Sequence, residues 1–258
     1  MKIQDFVGAS FALVFIDPKG WKGYPLPKIK PLFMRRKCEV LINFMYEFIN
    51  RFAHSPDQKT IDSMAPFLGG PDWPKRLDPD LPRGLAVEKL FRETLKDTGD
   101  FESVVSTKID RATTERPHFF IVYGTKSPNG LKAFREIEYR ALRENEKNRA
   151  KAKENNREQK TGMGDLFTDH EAELREATIS EIVEEQKSLA KTDLMVRLGQ
   201  RSMPFSTVVV LLLQAYMLRE TNVKDICREL AKSGTIENTW GGGNRKPQDE
   251  DMIRLKAH

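Results

Sequence analysis

Six strand-forming residues in a row, Phe11 to Ile16 (FALVFI), end abruptly at Asp17-Pro18. No polar residue alternates with the apolar ones, so the run predicts a strand covered on both faces, as in the middle of a parallel sheet. Pro27 to Lys37 is compatible with a helix, Val40 to Met45 (VLINFM) is a second strand-like run, and Tyr46 to Ala53 continues with helical spacing. Strand, helix, strand, helix is an α/β pattern. Ser55 to Pro82 is rich in Pro, Gly and Asp and reads as an irregular insertion over one end of the sheet, before an amphipathic helix over Leu85 to Lys96. Val104 to Asp110 and His118 to Gly124 are two further strands, and the short polar loop between them can join only antiparallel neighbours.

The second half reads as helical. A helix opens at Asn129-Gly130 and runs from Leu131 to about Asn145. Glu144 to Lys160 is almost wholly charged and amide residues with no apolar face, a solvated helix extension or a linker. The expected organisation is therefore an α/β domain over 1–145, a charged linker over 146–165 and a helical domain over 166–258. In the last, Glu171 to Leu198 is helical, Pro204 opens a strongly apolar helix to about Leu218, and Thr221 or Asn222 caps another that stops at Gly234.

Composition removes several classes. The chain has 258 residues, two distant cysteines without CxxC spacing and a net charge of +5, so a zinc ribbon or disulfide scaffold is excluded and a reducing, cytoplasmic setting is expected. No apolar run reaches bilayer-spanning length, and Asp5 and Asp17 bracket the first one, so neither a membrane partner nor a signal peptide is expected. His54, His118, His170 and His258 lack ligand spacing, so no metal is expected. Ser10 and Ser55 lack the sharp strand-to-helix turn of a nucleophilic serine.

The candidate site is the DPKGWKG loop. Ligands of open α/β sheets bind beyond the carboxyl ends of the strands. There Asp17 can accept a proton or hydrogen bond, Pro18 stiffens the turn, and Gly20 lets the backbone approach a ligand. Trp21 offers a stacking surface, and Lys19 and Lys22 suit phosphates. Asn43, near the end of the second strand, lies beside Asp17 if the two strands are adjacent. The alternative is an ordinary turn in which Asp17 caps amides and Trp21 packs on the sheet.

A second candidate lies near the C-terminus. Lys224, Arg228 and Lys232 repeat every four residues beside the apolar stripe of Val223, Ile226, Cys227 and Leu230. With the glycine tip Gly241–Gly243 and Arg245-Lys246, they fit a recognition helix followed by a wing, able to contact DNA or RNA phosphates. Asp225, Glu229 and the acidic Asp249–Asp251 oppose that reading, no separate second helix of a helix-turn-helix is evident, and a small helical domain with a solvated basic row is the alternative.

FIDPKGWKGYPLPKI, EVLINFMYEFINRF, HFFIVYGTKSPNGLKAF and GTIENTWGGGNRKP together resemble the three-Cys-motif partner protein family across nearly the whole chain. The resemblance implies a Rossmann-like, methyltransferase-type domain, a winged-helix-like C-terminal domain, S-adenosylmethionine as cofactor and a three-Cys-motif protein as partner. It places Asp17, Pro18 and Gly20 where such enzymes carry the acidic or amide motif facing the methyl acceptor. It also makes Phe11–Ile16 the fourth strand of the sheet, and no G-x-G occurs in the first forty residues. The expectation is the C-terminal half of that sheet, an N-terminally short form or one half of a split protein. Such a chain would not hold S-adenosylmethionine alone, and its open edge would need a partner chain or would self-associate.

Overall fold

A computed structural model describes residues 8–18, 24–53, 57–110, 117–161, 168–241 and 245–256. The chain divides into two compact units, Met1–Gly130 and Leu131–His258.

The first unit carries a four-stranded sheet in the order β1-β2-β4-β3. β1 (Ala12–Ile16) runs parallel to β2 (Cys38–Phe44), while β4 (Pro117–Thr125) is antiparallel to both β2 and β3 (Ser103–Asp110). β3 therefore points the same way as β1 and β2, with one reversed strand inserted among three. The hairpin between β3 and β4 is antiparallel, as the short polar connection required.

β2 shows why one face becomes core. Its burial alternates along CEVLINF, with Cys38, Val40, Ile42 and Phe44 each almost wholly buried. Against this face lie α1 (Leu26–Phe33), α2 (Tyr46–Ala53) and α4 (Arg83–Gly99), which contribute Leu26 and Phe33, Ile49, and Val87, Leu90, Phe91 and Leu95. α4 approaches α2 closely enough that a Cβ on Gly84 would lie 2.6 Å from both the Asn50 Oδ1 and the Tyr46 hydroxyl, so any larger residue there would push these side chains aside.

Two expectations need correction. The 55–82 stretch is no irregular cover: α3 (Gln58–Met64) begins on Asp57, whose carboxylate accepts from Lys59 N at 3.2 Å and Thr60 N at 3.3 Å, and a 3₁₀ turn spans Trp73–Arg76. Phe67, Leu68 and Trp73 from this stretch sit in the sheet's own core, where they supply apolar bulk that the glycines and prolines around them concealed. The second correction concerns β1. Its residues were expected to be covered on both faces, yet among the described residues only β2 pairs with it, and Phe11, Leu13 and Phe15 are 57, 56 and 60% exposed. Ala12, Val14 and Ile16 turn the other way, and Val14 and Ile16 pack against the core. Period-two geometry buries one set and bares the other as long as a single sheet face is covered.

The second unit contains most of α5 (Pro128–Thr161), α6 (Thr168–Gln200), α7 (Phe205–Ala215) and α8 (Glu220–Lys232), with the short strands β5 (Met203–Pro204) and β6 (Met252–Ile253). The charged 146–165 stretch does not separate the units. α5 continues through it as helix to Thr161, residues 162–167 lie outside the described residues, and the division falls at Gly130 instead. The solvated helix extension, one of the two readings open for this stretch in the sequence, describes it through Thr161. Among the described residues, no helix is long and apolar enough to cross a membrane.

Candidate functional site

β1 and β2 are adjacent and parallel, and their register places Ile16 opposite Ile42, so the next residues, Asp17 and Asn43, face each other just past the strand end. Asn43 Nδ2 donates to Asp17 Oδ1 at 2.8 Å. That bond fixes the amide so that Asn43 Oδ1 is left as an acceptor, and this oxygen is buried with no hydrogen-bond partner. The second Asp17 oxygen is also an acceptor. A pair of acceptors suits a ligand group with N–H or O–H donors and repels a phosphate or carboxylate. Both residues project on the sheet side that carries Phe11, Leu13 and Phe15. Lys19, Gly20, Trp21 and Lys22, the other residues expected at this loop, lie outside the described residues. Pro18 is described and partly buried next to Asp17.

The same carboxyl edge gathers further polar groups that their spacing concealed. β3 ends at Asp110, which lies 3.2 Å from Lys108 Nζ, and β4 begins beside it. His118 Nδ1 meets Glu47 Oε2 at 3.0 Å, although the two are separated by most of the first unit's length. His118 was expected to stand alone because its partner comes from α2, a relation only the fold supplies. Tyr24, just beyond the undescribed loop, is almost fully buried with its hydroxyl unpartnered, and burial pushes its pKa far up. Among the described residues, no group of three or more His, Cys, Asp or Glu is arranged to hold a metal. Cys227 is buried, its thiol pushed up to about 12 by that burial, so it is not a reactive thiolate.

A methyltransferase-type cradle for S-adenosylmethionine needs a glycine-rich turn between a strand and a helix. β2 passes through Met45 directly into α2 without such a turn, and the connection after β1 that holds Gly20 and Gly23 lies outside the described residues.

In the second unit, α7 and α8 are separate helices joined by Tyr216–Arg219, close to the two helices expected from Pro204 and from Thr221 or Asn222 onward. α8 starts at Glu220, one residue before the expected cap, and Asn222 Oδ1 accepts from Arg219 N at 2.9 Å. After α8, Gly234 turns with a φ of 73° and the chain returns as a ladder: Ile236 bridges Leu255, and β6 pairs with β5.

This arrangement brings the five expected basic residues together unevenly. Lys224 is held by Glu220 at 2.7 Å, Arg228 by Asp225 at 3.1 Å, and Lys246 by the same Asp225 at 2.8 Å. Lys232 and Arg245 are exposed. Glu220 is partly buried, which raises its pKa, but hydrogen bonds from Lys224 and Lys132 outweigh that and bring it below the ordinary carboxylate range. A cavity of about 730 Å³ is lined by Trp240, Arg245, Lys246, Gln248 and the acidic residues Asp249–Asp251. The charge here is therefore mixed rather than uniformly basic.

No family model, curated protein or solved structure matches the chain.

Proposed function

We propose that the chain is a three-Cys-motif partner-like protein, methyltransferase-related and directed to nucleic acid, that supplies the acceptor-facing half of a Rossmann-like sheet and no cofactor cradle of its own. The observation that carries this reading is the Asp17–Asn43 pair, hydrogen-bonded at the carboxyl ends of adjacent parallel strands, where open α/β sheets take their ligands. Two further features support it. The three co-directional strands interrupted by one reversed strand suit the end of a doubly wound sheet, which often carries an antiparallel member. The order helix, strand, helix, helix, then a two-stranded return is compatible with a winged helix whose α8 would be the recognition helix. S-adenosylmethionine is assigned no residue among those described.

A second reading is a non-catalytic assembly protein working with a partner chain, such as a three-Cys-motif protein. It is favoured by the internal ion pairs that occupy Lys224, Arg228 and Lys246, because a paired cation releases fewer counterions on binding phosphate.

Reversing Lys232 and Arg245 to Glu separates the two readings without breaking those internal pairs. Directed to nucleic acid, the protein retains duplex DNA or RNA in low salt, and the double variant lowers the slope of log affinity against log salt by about 2. Salt-independent or absent retention would leave the assembly reading. Calorimetric titration of this chain with S-adenosylmethionine is expected to give no binding heat, and micromolar binding would contradict the missing cradle.

A further inference from the structure

The cavity beside Trp240 has walls fixed by the fold. The N–H groups of Phe205 and Ser206, at the start of α7, donate to the carbonyls of Asp251 at 2.8 Å and Asp249 at 3.0 Å. Gln248 N–H donates to the Asp251 carboxylate at 2.7 Å, and the Trp240 indole N–H to the Arg245 carbonyl at 3.0 Å. A volume of about 730 Å³ falls among those of small-molecule sites and has room for one nucleotide.

The charges that line it are not equivalent. Lys246 is held by Asp225 at 2.8 Å, Asp249 meets Lys132 at 3.3 Å, and the Asp251 carboxylate accepts from Gln248. Arg245 and Glu250 are exposed, and neither makes an ion pair or a side-chain hydrogen bond among the described residues. The cavity thus offers one free guanidinium, one free carboxylate and an apolar wall from Trp240. A guanidinium grips phosphate oxygens with two N–H groups at once. A carboxylate only accepts, and two N–H donors side by side satisfy both of its oxygens. Among the bases, the Watson–Crick edge of guanine presents that pair, a ring N–H next to the exocyclic amine. Adenine and cytosine set one amine beside a ring-nitrogen acceptor, and uracil flanks its single N–H with carbonyls, so each turns a lone pair toward the carboxylate.

We infer that this cavity binds an unpaired guanine, with the base on Glu250, the phosphodiester on Arg245 and Trp240 as the wall. Two cations line the cavity against three carboxylates, so it disfavours multiply charged phosphate groups and suits a diester, which carries a single charge. A nucleic-acid strand and a cyclic guanosine monophosphate both present that chemistry. The strand form rests on the nucleic-acid-directed function proposed for the chain, while the base preference does not.

Fluorescence anisotropy of the whole chain with labelled pentanucleotides that differ only at the middle base tests the site. In low salt UUGUU should bind about tenfold more tightly than UUAUU, UUCUU or UUUUU. Glu250→Gln turns one acceptor into a donor, which matches the edge of adenine. The variant should therefore lose about tenfold for UUGUU and gain for UUAUU, an exchange that unfolding cannot produce. Arg245→Ala should weaken all four about equally and lower the salt slope by about 1. In calorimetry, cyclic guanosine monophosphate should bind and its adenosine counterpart should not. Binding of the cyclic nucleotide without retention of any pentanucleotide would keep the guanine site and remove the nucleic-acid-directed function. Equal affinity for all four pentanucleotides would keep that function and overturn the guanine site, as would binding of neither kind of ligand.

Discussion

Phe91→Ala is expected to lower the stability of the first unit by about 3–5 kcal/mol, read as a leftward shift of its urea unfolding midpoint. Phe91 is fully buried, with its ring 4.5 Å from that of Phe67 and 4.9 Å from that of Phe44. These three rings join α4, the 55–82 stretch and β2, so truncation removes contacts to all of them and leaves a cavity that none can fill alone. Single domains hold about 5–15 kcal/mol in all, so the variant sits near the edge of folding. A loss under about 1 kcal/mol would mean that the sheet's covered face is not the core described.

Arg135→Ala should be comparably severe in the second unit, at about 3–5 kcal/mol, because it strips one member of a buried ion pair. Arg135 Nη1 lies 2.7 Å from Glu138 Oε2, with side-chain exposures of 5 and 2%. Its Nε also donates to the Leu213 carbonyl at 2.9 Å, tying α5 to the last turn of α7. Removing the cation deprives the buried Glu138 carboxylate and the Leu213 carbonyl of their Arg135 contacts. Replacing both partners, Arg135→Met with Glu138→Leu, is expected to recover most of the loss, since burying two charges costs about as much as their attraction returns. Thermal unfolding of the single and double variants, followed by circular dichroism, measures the difference. Equal losses in both would show that the pair's own attraction, and not the burial of the remaining charge, sets the effect.

Local pattern made the strands legible. FALVFI, VLINFM and the two runs of the β3–β4 hairpin fall within a residue or two of the observed elements, because dense strand formers bounded by Pro, Gly and Asp leave few alternatives. Asp17 beside Asn43 was equally accessible, since parallel neighbours bring equivalent strand ends together. What stayed hidden depended on partners remote in sequence. Phe67, Leu68 and Trp73 lie among turn residues and show their core role only once α3 folds them under the sheet. Glu47 and His118 meet through α2 and β4. Asp225 looks like a stray acid beside a basic row, yet it holds Arg228 and Lys246 and changes what that row can offer to phosphate.

The exposure of β1 joins these observations. Among the described residues, one edge and one face of this unbroken apolar strand stand open, and Asp17 at its carboxyl end meets Asn43 of β2.

Amide hydrogen exchange along β1, followed residue by residue by NMR at a concentration low enough for the chain to be monomeric, tests this most directly. The inward amides of Ala12, Val14 and Ile16 should be protected by β2, while those of Leu13 and Phe15 exchange at nearly the rate of an unstructured chain. Equal protection of both sets in the monomer would show that another strand already covers the edge, and the open edge of β1 would be contradicted.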